Sequence, residues 1–278
     1  MFKKKTYDTP YRAPRDHTFK EMIEKVLRNR ISQSYIDTIL TPEGMTYFSK
    51  AFTHSSVDPV NNYEFLETLG DLTLNKCVLF YLCRRFPQLN CPAGSDMISK
   101  LKISTIKSES FANIAESIGF WAFISVDQTL RTDPISKRKT LEDVCESFFG
   151  VLELLGDKYF TIGIGYELCY KIVSFILDKK EISLDYEENV DAITRVKETC
   201  DAYTFLGTIS YQPSKTQDGR IMVVAYQTTP DNNVTNLANG YGNDLKEARQ
   251  DAAKHVLSYL KSKGILKGVS MKTAELCV

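Results

Sequence analysis

The sequence predicts an all-α domain followed by a small α+β domain ordered helix, three strands, helix. Three observations lead there. Apolar residues recur at helical spacing from Phe19 to about Leu177 without a convincing strand. The segment after Asp178, DKKEISLDYEEN, is charged and weakly patterned, as a linker is. Beyond it, short β-branched and aromatic runs bounded by Gly, Pro and Asn lead into one strongly periodic helix.

In chain order, residues 1–17 are polar and locally basic (Lys3, Lys4, Lys5, Arg12, Arg15) with Pro10 and Pro14, and read as a flexible arm. Helical periodicity runs from Phe19 to about Arg30, and a short amphipathic segment follows from Ile31 to Leu40. Thr41-Pro42-Glu43 reads as a cap with Pro at the first helical position, leading into Met45–Phe52. After the turn AFTHSSVDP comes YEFLETLGDLTLNK, continuing into CVLFYL. Its acids Glu64, Glu67 and Asp71 stand at i, i+3 and i+7, one stripe of a helix otherwise apolar enough to be buried on most sides. Gly70 costs about 1 kcal/mol against Ala in a helix, so a close backbone approach is expected there. A Pro/Gly loop over 86–94 precedes helices at Met97–Ser110 and Phe111–Ile118. Residues 127–139 are polar and end in Lys137-Arg138-Lys139, ahead of an apolar helix from about Leu141 to Leu155 bearing Asp143 and Glu146. A further apolar helix spans Phe160–Leu177. In the second domain a helix over Asp191–Ala202 precedes strands at Thr208–Tyr211, Arg220–Tyr226 and Asn233–Ala238, and the closing helix lies in GYGNDLKEARQDAAKHVLSYL. The expected boundaries are 1–17 arm, 18–180 helical domain, 181–188 linker, 189–267 α+β domain and 268–278 tail.

Composition narrows the function. With 278 residues, 43% hydrophobic and 25% charged, the chain is of ordinary globular type and long enough for two domains. No apolar run is long enough to span a bilayer, and the N-terminus lacks a signal-peptide core, so no membrane partner is expected. Seven scattered cysteines without a C-x-x-C pair point to reduced thiols in an intracellular compartment, the cytoplasm ahead of the nucleus. Three histidines without paired spacing give little support for zinc. Formal net charge is zero, so nucleic-acid binding would rest on local patches.

The acids carry the chemistry. If the two acidic helices pack side by side, Glu67, Asp71, Asp143 and Glu146 converge, and like charges that close stay ionised only with cations among them. A hard divalent ion with oxygen ligands suits such a set, magnesium above all, with manganese as a substitute. The bland alternative, a solvated acidic face, would require polar flanking residues, which are absent here.

AFTHSS, YEFLETLGD and LEDVCESFFG, in that order, resemble the three diagnostic blocks of the ribonuclease III family, and the GYGNDLKEARQDAAKHVL ending resembles a double-stranded RNA-binding domain. The resemblance implies one all-α catalytic domain followed by one α-β-β-β-α double-stranded RNA-binding domain. It also implies that Glu67, Asp71, Asp143 and Glu146 are catalytic metal ligands, with Glu64 an additional supporting acid. The implied reaction is magnesium-dependent hydrolysis of double-stranded RNA to 5′-phosphate and 3′-hydroxyl ends with short 3′ overhangs, by a homodimer that meets through the signature helix. Tyr63 and Phe65 depart from the Asn and Arg usual in that signature. His54 matches a Thr-His-x-Ser segment and reads as structural, whereas Lys139 is a candidate to face a substrate phosphate. In the second domain Lys246, Arg249, Lys215 and Arg220 are the candidate RNA contacts. Leu245 replaces a usual lysine there, Asp244 and Glu247 form a capping box, and the loop 212–220 lacks the usual Gly-Pro-x-His, so weak, salt-sensitive binding is expected. A non-catalytic scaffold is the competing reading; such relatives typically lose a metal acid, and this chain keeps all four.

Overall fold

The structure, a computed structural model, describes residues 10–108, 111–216 and 220–265. The basic segment 1–9 and the tail 268–278 lie outside these. The chain divides into two compact units: one runs to Pro87 and resumes over Lys102–Ile182, and the other takes Gln88–Leu101 and the chain from Ser183 on.

The first unit is built from β1 (Pro10–Tyr11), α1 (His17–Leu27), α2 (Gln33–Ile39), α3 (Pro42–Ala51), α4 (Glu64–Arg85), the end of α5 (Ser95–Ser108), α6 (Phe111–Ile118), β2 (Val126–Asp127), α7 (Gln128–Thr132), α8 (Pro134–Tyr159) and α9 (Ile164–Leu177). Side-chain caps set several starts: Asp16 accepts from the Thr18 N–H, Thr41 from Gly44 with Pro42 at the first position, and Asp133 from Ser136 ahead of Pro134. The Asp133-Pro134 signal starts α8 well before the apolar periodicity begins. Lys137, Arg138 and Lys139 therefore stand on its first turns rather than in a preceding loop. The next helix starts later than its apolar run: Asp157 holds the N–H groups of Gly163 and Gly165, with Gly163 left-handed at φ 100°, so α9 opens at Ile164.

The arm expected over 1–17 needs correcting at its inner end. Pro10–Tyr11 pair antiparallel with Val126–Asp127. Arg15 donates to the carbonyls of Phe123 and Phe52, at 2.7 and 2.9 Å, and stacks on Phe19. These contacts, invisible in a hydropathy pattern, fix residues 10–17 to the helical body and add the short strands that the sequence did not announce.

α8 is the central helix, buried along most of its length. Its Phe148 meets Phe48 and Phe120, and Phe52 and Phe19 extend the cluster from Phe120, all five essentially inaccessible. α4 crosses α8 in backbone contact. A Cβ added to Gly70 would lie 1.8 Å from the Glu146 carbonyl oxygen, and one added to Gly150 would lie 2.1 Å from that of Leu66. The glycine expected to mark a close approach does so.

The second unit contains α10 (Tyr186–Asn189), α11 (Ala192–Ala202), the antiparallel sheet β3 (Thr208–Lys215), β4 (Ile221–Thr228), β5 (Val234–Gly242), and α12 (Leu245–Ser262). Its core joins Val196 and Cys200 of α11 and Val223 and Ala225 of β4 to Ala248, Ala252, Ala253, Val256 and Leu260 of α12. The alanines let α12 lie close on the sheet. Gln88–Leu101 belongs here because Lys100 bonds Glu198 at 2.9 Å and lies over the Tyr186 ring. The boundaries expected from sequence keep 18–180 in one piece and 181–188 as a plain linker; Gln88–Leu101 instead joins the second unit, and Tyr186 is buried.

Gly70→Ala tests the crossing. Overpacking against rigid backbone costs up to about 3 kcal/mol, offset by about 1 kcal/mol of helix propensity. The variant should therefore lose about 2 kcal/mol, a drop in Tm of about 5 °C by thermal melting. An unchanged Tm would refute the contact.

Candidate active site

The crossing aligns the acidic turns of α4 and α8. One carboxylate oxygen each from Glu67, Asp143 and Glu146 lies within 4.8 Å of the others. Asp71, expected in the same cluster, falls outside this mutual triad. Its Oδ1 accepts from Asn75 Nδ2 at 2.8 Å, yet its charge acts directly on Glu146. Glu64 sits exposed at the start of α4 and acts on Glu67 from there.

Burial and crowding disfavour ionisation of two of these groups. Glu146 is pushed up to about 8, first by burial and then by the charges of Asp71, Glu142, Asp143 and Glu67. Glu67 is raised by burial and by Asp143, with Lys139 opposing. Asp143, only 6% exposed, is held at both oxygens: Oδ2 accepts from the Tyr63 hydroxyl at 3.0 Å and Oδ1 from Lys139 Nζ at 3.0 Å. Burial and Asp143 push the Tyr63 phenol far up, which keeps it a donor. Lys139 stays 72% exposed beyond its ion pair, facing solvent beside the cluster.

His54 meets Tyr63 edge-on at 5.5 Å, and its Nδ1 accepts from the Ser56 N–H at 2.9 Å. Ser56 in turn accepts from the Asp127 N–H, so His54 secures the turn before α4. Its placement is that of a structural residue, and burial lowers its pKa.

Three residues escape a reading of the sequence. Tyr63 stands out there only as a departure from a signature, and its bond to Asp143 spans 80 positions. Asn75 is one turn beyond Asp71, an i, i+4 pair that spacing alone could have suggested. Lys102 of α5 donates to Asn75 Oδ1 at 3.1 Å, completing a Lys102–Asn75–Asp71 chain that no local pattern signals.

In the second unit Lys246 is exposed on the first turn of α12, Arg249 is half-buried one turn on, and Arg220 is exposed before β4. The side chain of Lys215 lies outside the described residues. Asp244 accepts from the Glu247 N–H at 2.7 Å, and Glu247 reaches back to the Asn243 N–H, one residue earlier than a strict capping box.

The donor set of the first unit is all carboxylate oxygen, two of them reluctant to ionise without a cation. It fits a hard divalent ion and offers nothing for a soft one.

This electrostatic strain has a signature in the metal-free protein. Unfolded, Glu146 gives up its proton near 4.5; folded, it keeps it to about 8. The folded state therefore binds more protons between those values, and the contribution of Glu146 to stability, complete below about 4.5, is lost as pH rises to about 8. Denaturant titrations of the chain and of Glu146→Gln should diverge progressively across that window, the parent losing stability relative to the variant. Parallel curves would remove the assigned strain.

Residues 64–160 match the family described as ribonuclease III domain. The chain is 34% identical over 264 residues to the provisionally named ribonuclease 3 of Invertebrate iridescent virus 6, covering 90% of this chain and 89% of that protein. It is 37% identical over 177 residues to the similarly named protein of Frog virus 3 (isolate Goorha), covering 63% of this chain and 47% of that one. Against ribonuclease 3 of Streptococcus agalactiae the identity is 29% over 243 residues, covering 85% of this chain and 99% of the bacterial protein. The chain belongs to the ribonuclease III family of endoribonucleases.

Proposed function

We propose that this chain hydrolyses double-stranded RNA as a divalent-metal-dependent homodimer, leaving 5′-phosphate and 3′-hydroxyl ends with short 3′ overhangs. The observation that carries the reading is the mutual approach of Glu67, Asp143 and Glu146 within 4.8 Å in a half-buried setting. These three, with Asp71 beside them, would hold magnesium. When bound, magnesium supplies Lewis acidity toward a phosphate oxygen and lowers the pKa of bound water. Water adds to phosphorus and gives up a proton to solvent, the bond to the 3′ oxygen breaks, and that oxygen leaves with a proton taken from solvent, giving the 3′-hydroxyl and the 5′-phosphate.

The chain's own groups orient the acids. Tyr63 fixes one oxygen of Asp143, and Asn75, steadied by Lys102, fixes Asp71. Lys139 is the exposed cation of the set, tied to the cluster by an ion pair to Asp143. In this reading its ammonium transfers to a non-bridging phosphate oxygen and offsets charge that grows there during reaction.

α4 supports the dimer. Opposite its α8-facing side, Phe65 (70% exposed), Leu72 (66%) and Leu79 (39%) recur every seven residues, an apolar stripe suited to the same stripe of a second copy. The second unit has the helix–three strands–helix order of a double-stranded RNA-binding domain, with Lys246, Arg249, Lys215 and Arg220 as its candidate phosphate contacts. Asp244 and Glu247 place negative charge at the start of α12, so binding through this unit is weak and salt-dependent. Duplex shape and 2′-hydroxyls, rather than sequence, would be read.

Cleavage of an end-labelled RNA duplex in magnesium should yield staggered products with the parent chain and none with Glu146→Gln, while duplex binding persists. Retained binding without cleavage by either protein would mark a scaffold. Lys139→Ala should slow turnover about a hundredfold at unchanged duplex affinity; unchanged kinetics would remove Lys139 from the reaction.

Phe65→Asp combined with Leu72→Asp should give a monomer by sedimentation equilibrium and abolish paired cutting of the two strands. A dimer that survives both charges would place the interface elsewhere.

A further inference from the structure

A cavity of about 500 Å³ opens among α1, α6, α8 and α9 of the first unit, within the size range of small-molecule sites. Its walls are mainly apolar, with Ile114, Phe148, Phe149, Ile172 and Ile176 contributing most of the character. None of the clustered acids lines it, and no step of the proposed nuclease reaction uses it.

Two cations line it as well, Arg30 and Lys179. Both gather on one ring: the guanidinium carbon of Arg30 lies 4.4 Å from the Phe175 centroid, and Lys179 Nζ lies 4.3 Å from it. Among the described residues, neither has a carboxylate within ion-pair distance. Arg30 spends Nη1 on the carbonyls of Lys25 and Val26 at the end of α1, while its Nε is enclosed without a hydrogen-bond acceptor among the described residues. Both cations therefore face an apolar cavity with no counter-ion among the described residues, which leaves their charge poorly compensated. A purely apolar ligand would leave that charge as it is. A carboxylate compensates it, by charge toward both cations and by accepting N–H bonds from the outer nitrogens of the guanidinium.

We infer that this cavity binds a free fatty carboxylate, its head group toward the cationic side lined by Arg30 and Lys179 and its chain among Ile114, Phe148, Phe149, Ile172 and Ile176. The apolar walls set the affinity for the chain, and the cations select the sign of the head. The site is separate in composition from the candidate active site, so it stands or falls independently of the nuclease reading.

Isothermal titration of the full chain with dodecanoate, kept below its micelle concentration, tests this. One saturable site is expected, with dodecanol binding more weakly and dodecyltrimethylammonium not at all. Arg30→Gln and Lys179→Gln should each weaken dodecanoate about tenfold while leaving dodecanol unchanged, as for loss of one charged hydrogen bond. Ile114→Trp should fill the cavity and abolish both, with its fold checked by unliganded melting. If that variant does not fold, the two charge variants decide the matter. No saturable dodecanoate binding, equal binding of the cationic amphiphile, or indifference to both charge substitutions would overturn the proposal.

Discussion

The backbone contact of α4 with α8 is the constraint on which the rest of the first unit depends. Helices bearing a Cβ at Gly70 and Gly150 could not approach so closely, because each Cβ would enter the partner's carbonyl oxygen. With hydrogen at both positions, Glu67 and the pair Asp143 and Glu146 come to face one another across the seam. The apolar residues that surround the seam, among them Leu66, Leu74, Val144 and Phe149, then deny these acids the water that would screen them. Packing and electrostatics are thus set against each other at one place, and the raised pKa of Glu146 is the measure of that opposition.

The fold answers part of this strain and leaves part of it. Asp143 is the most buried of the acids and the best supported, with a phenol on one oxygen and an ammonium on the other. Asp71 has an amide donor, itself held by Lys102. Glu146 is acted on most strongly by burial and by the like charges of Asp71, Glu142, Asp143 and Glu67. A cluster supported on its flanks and unsatisfied at its centre is what a site for a small multivalent cation requires, since a side-chain cation at the centre would occupy the same space.

Much of this was legible in the sequence, for a physical reason. The acids stand at helical spacing inside apolar runs, so both the stripe and its burial follow from residue type and period. Gly70, a poor helix residue, announced the close approach. The α-β-β-β-α order of the second unit followed from its turn residues and alternation. Illegible features depend on contacts between distant segments. Nothing local to Tyr63 points to Asp143, nothing local to Arg15 points to the carbonyls of Phe52 and Phe123, and nothing in Gln88–Leu101 shows that Lys100 reaches Glu198. The start of α8 was misplaced for a different reason: a cap and a proline outweighed missing periodicity. The convergence expected of four acids is, in the structure, a triad with Asp71 beside it.

α4 has to serve two surfaces at once, and its sequence shows the compromise. Leu66, Gly70, Thr73, Leu74 and Cys77 turn inward, whereas Phe65, Leu72 and Leu79 turn outward. Such a helix has little contrast between its faces, unlike α1, where all five apolar residues turn inward and the rest are polar. The acids Glu67 and Asp71 lie between the two apolar faces, so their positions depend on how firmly the helix is held from both sides. The inner side is fixed by the glycine crossing. The outer side is bare in the single chain, and large apolar side chains on a helix exposed to water are stabilised only by a partner that covers them. A second copy seated there would restrain the same turns that carry the acids. Assembly and site geometry would then be coupled through one helix, with no separate device needed to connect them.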